Sequence, residues 1–179
     1  VGRGAGGVEG VIRACVGFVD HDTYKEEQAI VFLLSHGTGY VSTISAGKWV
    51  GDLAKMDGKL PAVVRPKAAA IGPQIQDTFA EAYKAGVKIA FGTDSGVSPH
   101  GANAKEFRFM VEAGMPVMAA IQSATVNAAS LLRVDDSLGQ IAPGFHADIV
   151  AFDANPLTDV TVLERPSFVM KAGSVFRND

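Results

Sequence analysis

Val87 to Phe91 forms a short, nearly unbroken apolar run that stops at Gly92-Thr93-Asp94. A run of this length without polar alternation is the pattern of a strand buried on both faces, as in a parallel sheet covered by helices. Parallel neighbours cannot be joined by a tight hairpin, so each needs a crossover segment, usually helical, before the next strand. The chain supplies such segments. Phe18–Val19 predicts a short strand ending at Asp20-His21. Thr23 and Glu26 then have capping-box spacing ahead of Ile30, Leu33 and Leu34, which recur at helical intervals up to a stop at Gly37. Tyr40 to Ile44 is β-branched enough to predict a second strand.

Ser45 to Pro66, holding Trp49, Pro61 and Pro66, predicts a long irregular connection, the kind that serves as a lid or binding loop. Lys67 to Ala85 places Ile71, Ile75, Phe79 and Ala82 on one helical face, with a break expected at Gly72-Pro73 and an end at Gly86. Asn103 with Glu106 reads as an N-terminal capping pair for a helix through Phe107, Met110 and Val111 to Gly114. Pro116 to Ser123 and Val126 to Leu132 predict two more short helices. After Arg133 the pattern changes. Ile149 to Phe152, Ser167 to Lys171 and Ser174 to Arg177 predict strands separated by Pro156, Pro166 and an Ala172-Gly173 turn. Strand–helix units followed by strands alone indicate an α/β class, part of a barrel leading into a small β module.

Composition excludes several alternatives. The chain has 179 residues, 47% apolar and 20% charged, enough to bury a core. Its longest strictly apolar run, Ala29 to Leu34, is far shorter than the ~20 residues that span a bilayer, so no membrane partner is expected. A net charge of −3 without a Lys/Arg cluster argues against nucleic acid. Cys15 is the one cysteine, which rules out an internal disulfide. The glycines of Val1 to Gly7 do not form G-x-G-x-x-G, and no strand precedes them, so a dinucleotide loop is not predicted. The chain opens on Val1 without a charged, then apolar leader; it is expected to start inside a longer protein or to have lost a segment, and to be cytoplasmic.

Of the four histidines, His36 ends a helix and His146 lies in the Pro143-Gly144-Phe145-His146 turn, both positions that suit the surface. His21 and Asp94 differ, because each directly follows a predicted strand. In a parallel α/β barrel the strand C-termini form the rim where functional groups gather. An imidazole and a carboxylate there make a partial Zn2+ site, two ligands of about four. Taken singly, His21 suits a hydrogen-bonded strand end and Asp94 an Asx turn. No Gly-x-Ser-x-Gly elbow occurs, and neither Thr93 nor Ser95 has a histidine base adjacent in sequence.

The segment Val87-Lys88-Ile89-Ala90-Phe91-Gly92-Thr93-Asp94-Ser95-Gly96-Val97-Ser98-Pro99-His100-Gly101 strongly resembles the last barrel strand of the amidohydrolase superfamily. The resemblance continues through Asn103-Ala104-Lys105-Glu106-Phe107, Ala124-Thr125-Val126-Asn127-Ala128-Ala129, Leu138-Gly139-Gln140-Ile141-Ala142-Pro143-Gly144 and Ala147-Asp148-Ile149-Val150-Ala151-Phe152. It is nearest the branch holding Xaa-Pro dipeptidases, imidazolonepropionase-related proteins and zinc carboxypeptidases. Upstream, Asp20-His21-Asp22-Thr23-Tyr24 resembles the family's sixth-strand Glu-His-Gly-Thr, with Asp22 in place of the usual glycine.

This resemblance implies the C-terminal half of a (β/α)8 TIM-like barrel over residues 1–133, about strands five to eight, then the C-terminal strands of a small β-sandwich over 134–179. It implies His21 and Asp94 as metal ligands, Asp94 also as the catalytic proton shuttle, His100 as a substrate contact, and one or two divalent ions, Zn2+ expected, in the complete enzyme. The implied activity is metal-dependent hydrolysis of an amide bond in a small peptide or N-acyl amino acid, dipeptidase- or carboxypeptidase-like. Cyclic-amide hydrolysis of the imidazolonepropionase type is an alternative. A non-catalytic fragment or scaffold without metal is another, favoured by Gly4-Ala5-Gly6-Gly7 standing where the fifth-strand histidine should fall. The expected partners are a small peptide or amide substrate and either the missing N-terminal part of the protein or an oligomeric partner that closes the sheet.

Overall fold

Phe18↔Gly39 and Tyr40↔Ile89 are the registers that join three parallel strands in chain order: β1 (Phe18–Asp20), β2 (Gly39–Val41) and β3 (Ile89–Ala90). The computed structural model describes Gly10, Ile12, 17–20 and 27–179. The glycine-rich start, Cys15, His21 and the Thr23–Glu26 pair lie outside the described residues. Consecutive parallel neighbours without a reversal of order are the arrangement of successive strands in a (β/α) barrel, whereas a doubly wound sheet switches direction. Helix α1 (Glu27–His36) joins β1 to β2, and Gly37, at φ 64°, ends it where the sequence places the stop.

Between β2 and β3 the structure departs from the sequence reading. The second strand is shorter than Tyr40 to Ile44: it closes at Val41, Thr43 turns into the left-handed region at φ 50°, and Ile44 opens a helix. The predicted long connection is largely helical, with α2 (Ile44–Lys55) followed by a short irregular stretch and α3 (Arg65–Lys84). Gly47 and Gly51, which weaken a helix locally, lie one turn apart on the face of α2 that packs against Ala68, Gly72 and Ile75 of α3. The Gly72-Pro73 pair does not break α3. Pro66 occupies its first turn, where a missing N–H costs nothing, and Pro73 sits on the exposed side of a continuous helix.

The core lies between the parallel sheet and these helices. Tyr40, Ile44, Phe79, Ile89, Met110 and Ala120 are among its buried members. Full burial of a side chain such as Phe79 contributes about 1.5–3 kcal/mol relative to exposure. Beyond β3 come α4 (Lys105–Glu112), α5 (Val117–Ala124) and α6 (Val126–Leu132), close to the predicted spans. The last two fasten the β3 run, since Phe91 N–H donates to Ser123 O at 3.0 Å and Asn127 Nδ2 donates to Ile89 O at 3.1 Å. The tail forms a second, antiparallel sheet of β4 (Ile149–Ala151), β5 (Phe168–Lys171) and β6 (Ser174–Asn178), with a short 3₁₀ turn at Val160–Glu164 between β4 and β5. Ala172 and Gly173 make the β5–β6 turn with φ 48° and 79°; two positive values suit the twist of a tight hairpin.

Candidate active site

Because β1, β2 and β3 are parallel and in register, their C-terminal ends open on one rim: Asp20 pairs with Val41, and Val41 pairs with Ala90. From β3 the chain continues through Gly92, where a Cβ would stand 2.2 Å from Val41 Cγ1, so only glycine lets it pass this close to β2. Asp94 follows on that rim. It is exposed and adopts φ 50°, a left-handed conformation that Asp tolerates better than most residues. Its carbonyl accepts from Val97 N–H at 3.1 Å.

The residues on either side of Asp94 are tied down. Thr93 Oγ1 and Ser95 Oγ are hydrogen-bonded at 3.0 Å. Asn103 Nδ2 donates to Ser95 Oγ at 2.6 Å and to Thr93 Oγ1 at 3.4 Å, while Asn103 Oδ1 accepts from Gly101 N–H at 3.0 Å. Ser45 Oγ donates to Thr93 O at 3.4 Å. His100 stands exposed on the same loop. His21, one residue past the end of β1, lies outside the described residues, so its expected convergence with Asp94 falls there too. His36 and His146 are both exposed, as their sequence context predicts.

Glu106 is the residue the sequence reading misplaced. It does not cap its own helix with Asn103. The Glu106 carboxylate is fully buried and reaches the turn between β2 and α2: Oε1 accepts from Ser42 Oγ and Ile44 N–H, both at 2.8 Å, and Oε2 accepts from Ser45 N–H at 2.7 Å. Burial pushes its pKa above the ordinary Glu value, while the N–H and hydroxyl of Ser45, the Ile44 N–H and the Ser42 hydroxyl pull the other way. Spacing to Asn103 suggested a local cap; nothing local points to partners more than sixty residues upstream.

Among the described residues no three His, Cys, Asp or Glu side chains gather as a metal-holding cluster. Asp94 fits as one oxygen donor of a centre that takes about four ligands, so the described residues do not make such a centre by themselves. A groove of about 1100 Å³ runs between α2, α3 and α4, lined by Lys48, Trp49, Gln76, Arg108 and Phe109. Asp94 and His100 do not line it.

A parallel sheet with a fastened carboxylate loop at its C-terminal rim is the arrangement expected of a barrel hydrolase, and residues 2–176 match the amidohydrolase family, to which the chain belongs. The fold is similar to the crystal structure of a Xaa-Pro dipeptidase with methionine bound in its active site, with a TM-score of 0.94 and 50% identity over 98% of this chain and 43% of that one. A prolidase complexed with N-methylphosphonate-L-proline superposes with a TM-score of 0.85 at 27% identity, covering 97% of this chain and 43% of its own. The ochratoxinase of Aspergillus niger is 33% identical over 180 residues, 98% of this chain and 37% of its own length. The chain therefore spans about two fifths of the length of these relatives.

Proposed function

We propose that the protein carrying this chain hydrolyses the amide bond of a small peptide or N-acyl amino acid, with the reaction centred on Asp94. The observation that carries this reading is the placement of Asp94: exposed, left-handed and fastened on both flanks at the C-terminal rim of the parallel sheet. The likeness to a Xaa-Pro dipeptidase at 50% identity supports a peptide substrate.

In this reading the Asp94 carboxylate accepts a proton from a water whose oxygen adds to the amide carbonyl carbon. It then returns that proton to the nitrogen as the C–N bond breaks, leaving a carboxylic acid and an amine. His21 and Asp94 are the residues of this chain that would hold a divalent ion, zinc by expectation, with further ligands from outside these 179 residues. Bound there, such an ion would lower the pKa of water toward 7 and polarise the carbonyl. His100, on the same loop, contacts the substrate. Residues 1–133 form the barrel portion and 134–179 the strands of a small β-sandwich. The rest of the barrel comes from the remainder of the same protein or from an oligomeric partner. No helix among the described residues is long and apolar enough to cross a membrane.

The test is a substrate panel given to the full-length protein: Xaa-Pro dipeptides, N-acyl amino acids and cyclic amides. Turnover of the first two classes, lost by about 100-fold or more in Asp94→Asn, is the expected result. Turnover confined to cyclic amides would replace the peptide reading, and an unaffected Asp94→Asn would remove Asp94 from the chemistry.

A further inference from the structure

We propose that Glu106 is a positioning residue for the reaction at Asp94, acting on it through Ser45; this rests on the reading of Asp94 as the proton carrier. Three observations lead there. First, the buried carboxylate fastens both sides of Thr43, taking Ser42 Oγ and Ile44 N–H on one oxygen and Ser45 N–H on the other. Thr43 is β-branched and sits at φ 50°, ψ 42°, a conformation that persists only where its surroundings impose it.

Second, Ser45, placed by this grip, donates its hydroxyl to Thr93 O, the carbonyl of the peptide bond that enters Asp94. Asp94 is itself left-handed, so a freed Thr93–Asp94 peptide would relax toward commoner conformations and carry the carboxylate with it. Third, the same start of α4 reaches the Asp94 loop by a separate route. Asn103, one helical turn before Glu106, binds Ser95 and Thr93. The beginning of α4 thus joins two strand ends of the rim, and Glu106 sets the one that Asn103 does not touch.

A role in packing alone and a role in positioning differ in what they do to turnover. Four variants of the full-length protein separate them: Glu106→Gln, Ser45→Ala, the double variant and Asp94→Asn. Each is assayed for kcat, KM and thermal midpoint. Glu106→Gln keeps the shape and one carbonyl oxygen but turns an amide N–H toward the Ser45 N–H. It is expected to lower kcat by about 10- to 100-fold with KM within about twofold, as when the support of an active group is removed. Ser45→Ala leaves the Glu106 contacts with the backbone N–H groups in place and deletes the hydroxyl that lies between Glu106 and Thr93 O. It is expected to lower kcat by about fivefold, the worth of one ordinary hydrogen bond, with KM within about twofold and a smaller fall in thermal midpoint than Glu106→Gln. The double variant is expected to be no slower than Glu106→Gln, because both changes cut one path.

Wild-type kcat in Ser45→Ala overturns the proposal whatever Glu106→Gln does, including if Glu106→Gln fails to fold. A loss confined to KM overturns it as well. With Asp94→Asn inactive, either result leaves the reading of Asp94 standing. Wild-type turnover in Asp94→Asn overturns that reading itself.

Discussion

Gly72 of α3 lies against Gly47 of α2 with no side chain between them: a Cβ on Gly72 would stand 3.2 Å from the Gly47 carbonyl oxygen and 3.2 Å from Lys48 Cα. The reciprocal contact is softer, since a Cβ on Gly47 would meet Ile75 Cδ1 at 2.6 Å, the far end of a side chain. Backbone cannot yield as a methyl can. Gly72→Ala is therefore expected to destabilise the protein by about 1–3 kcal/mol despite alanine's better helix propensity. Gly47→Ala should cost less, as Ile75 turns aside. Denaturant unfolding of the two variants side by side checks the order; a larger loss in Gly47→Ala contradicts it.

Asn103 contributes to the site through its amide. Asn103→Ala deletes the donor to Ser95 and Thr93 and the acceptor for Gly101 N–H. The expected outcome in the full-length protein is a kcat lowered by about tenfold and a stability loss of about 1–2 kcal/mol. Steady-state kinetics and a thermal melt on one preparation report both.

Asp148 gives the antiparallel sheet a pH dependence. Its carboxylate accepts from the Lys171 ammonium and from Ala172 N–H at 2.7 Å, and these two hydrogen bonds hold its pKa below the ordinary Asp value of 3.8. A depressed carboxylate pKa contributes stability that is fully present above the unfolded value and is lost as pH falls through the native one. Wild type should thus exceed Asp148→Asn in thermal midpoint at pH 5–7, and the gap should close as the pH drops below about 3.8. A gap independent of pH would assign the contribution to hydrogen bonding without charge.

Apolar surface predicts association of the isolated chain. Ile141, Val150, Val175 and Phe176 are 81%, 51%, 53% and 75% exposed, and among the described residues β1 has a single strand neighbour. Open edges and exposed apolar side chains drive pairing between copies. These 179 residues expressed alone are expected to sediment above the 18.7 kDa monomer, and light scattering measures this directly.

How much the sequence reveals varies by region, for identifiable reasons. The stops at Gly37, Gly86 and Gly114 and the short helices after Pro116 rest on interactions within a few residues, and the strands are marked by their own apolar runs although their partners lie far along the chain. The structure has them all, with the Val87 to Phe91 run narrowed to a strand at Ile89–Ala90. So does the position of Asp94, since a strand's C-terminal end is visible wherever its apolar run stops. The connection from Ser45 to Pro66 misleads because Gly47, Gly51, Pro61 and Pro66 carry local signals against helix, while the gain from backbone-close packing of α2 on α3 appears only when both are in place.

What the sequence by itself determined, then, is the α/β alternation, the membership in the amidohydrolase family and the candidacy of Asp94. Tertiary structure alone decided where Glu106 goes. Three residues after Asn103, its side chain has a local partner available in principle, and spacing favours that choice. The folded chain instead brings the Ser42 hydroxyl and the Ile44 and Ser45 amides within 2.8 Å of it. Buried N–H groups left without an acceptor cost more than an exposed cap contributes, so the carboxylate turns inward to the β2–α2 turn.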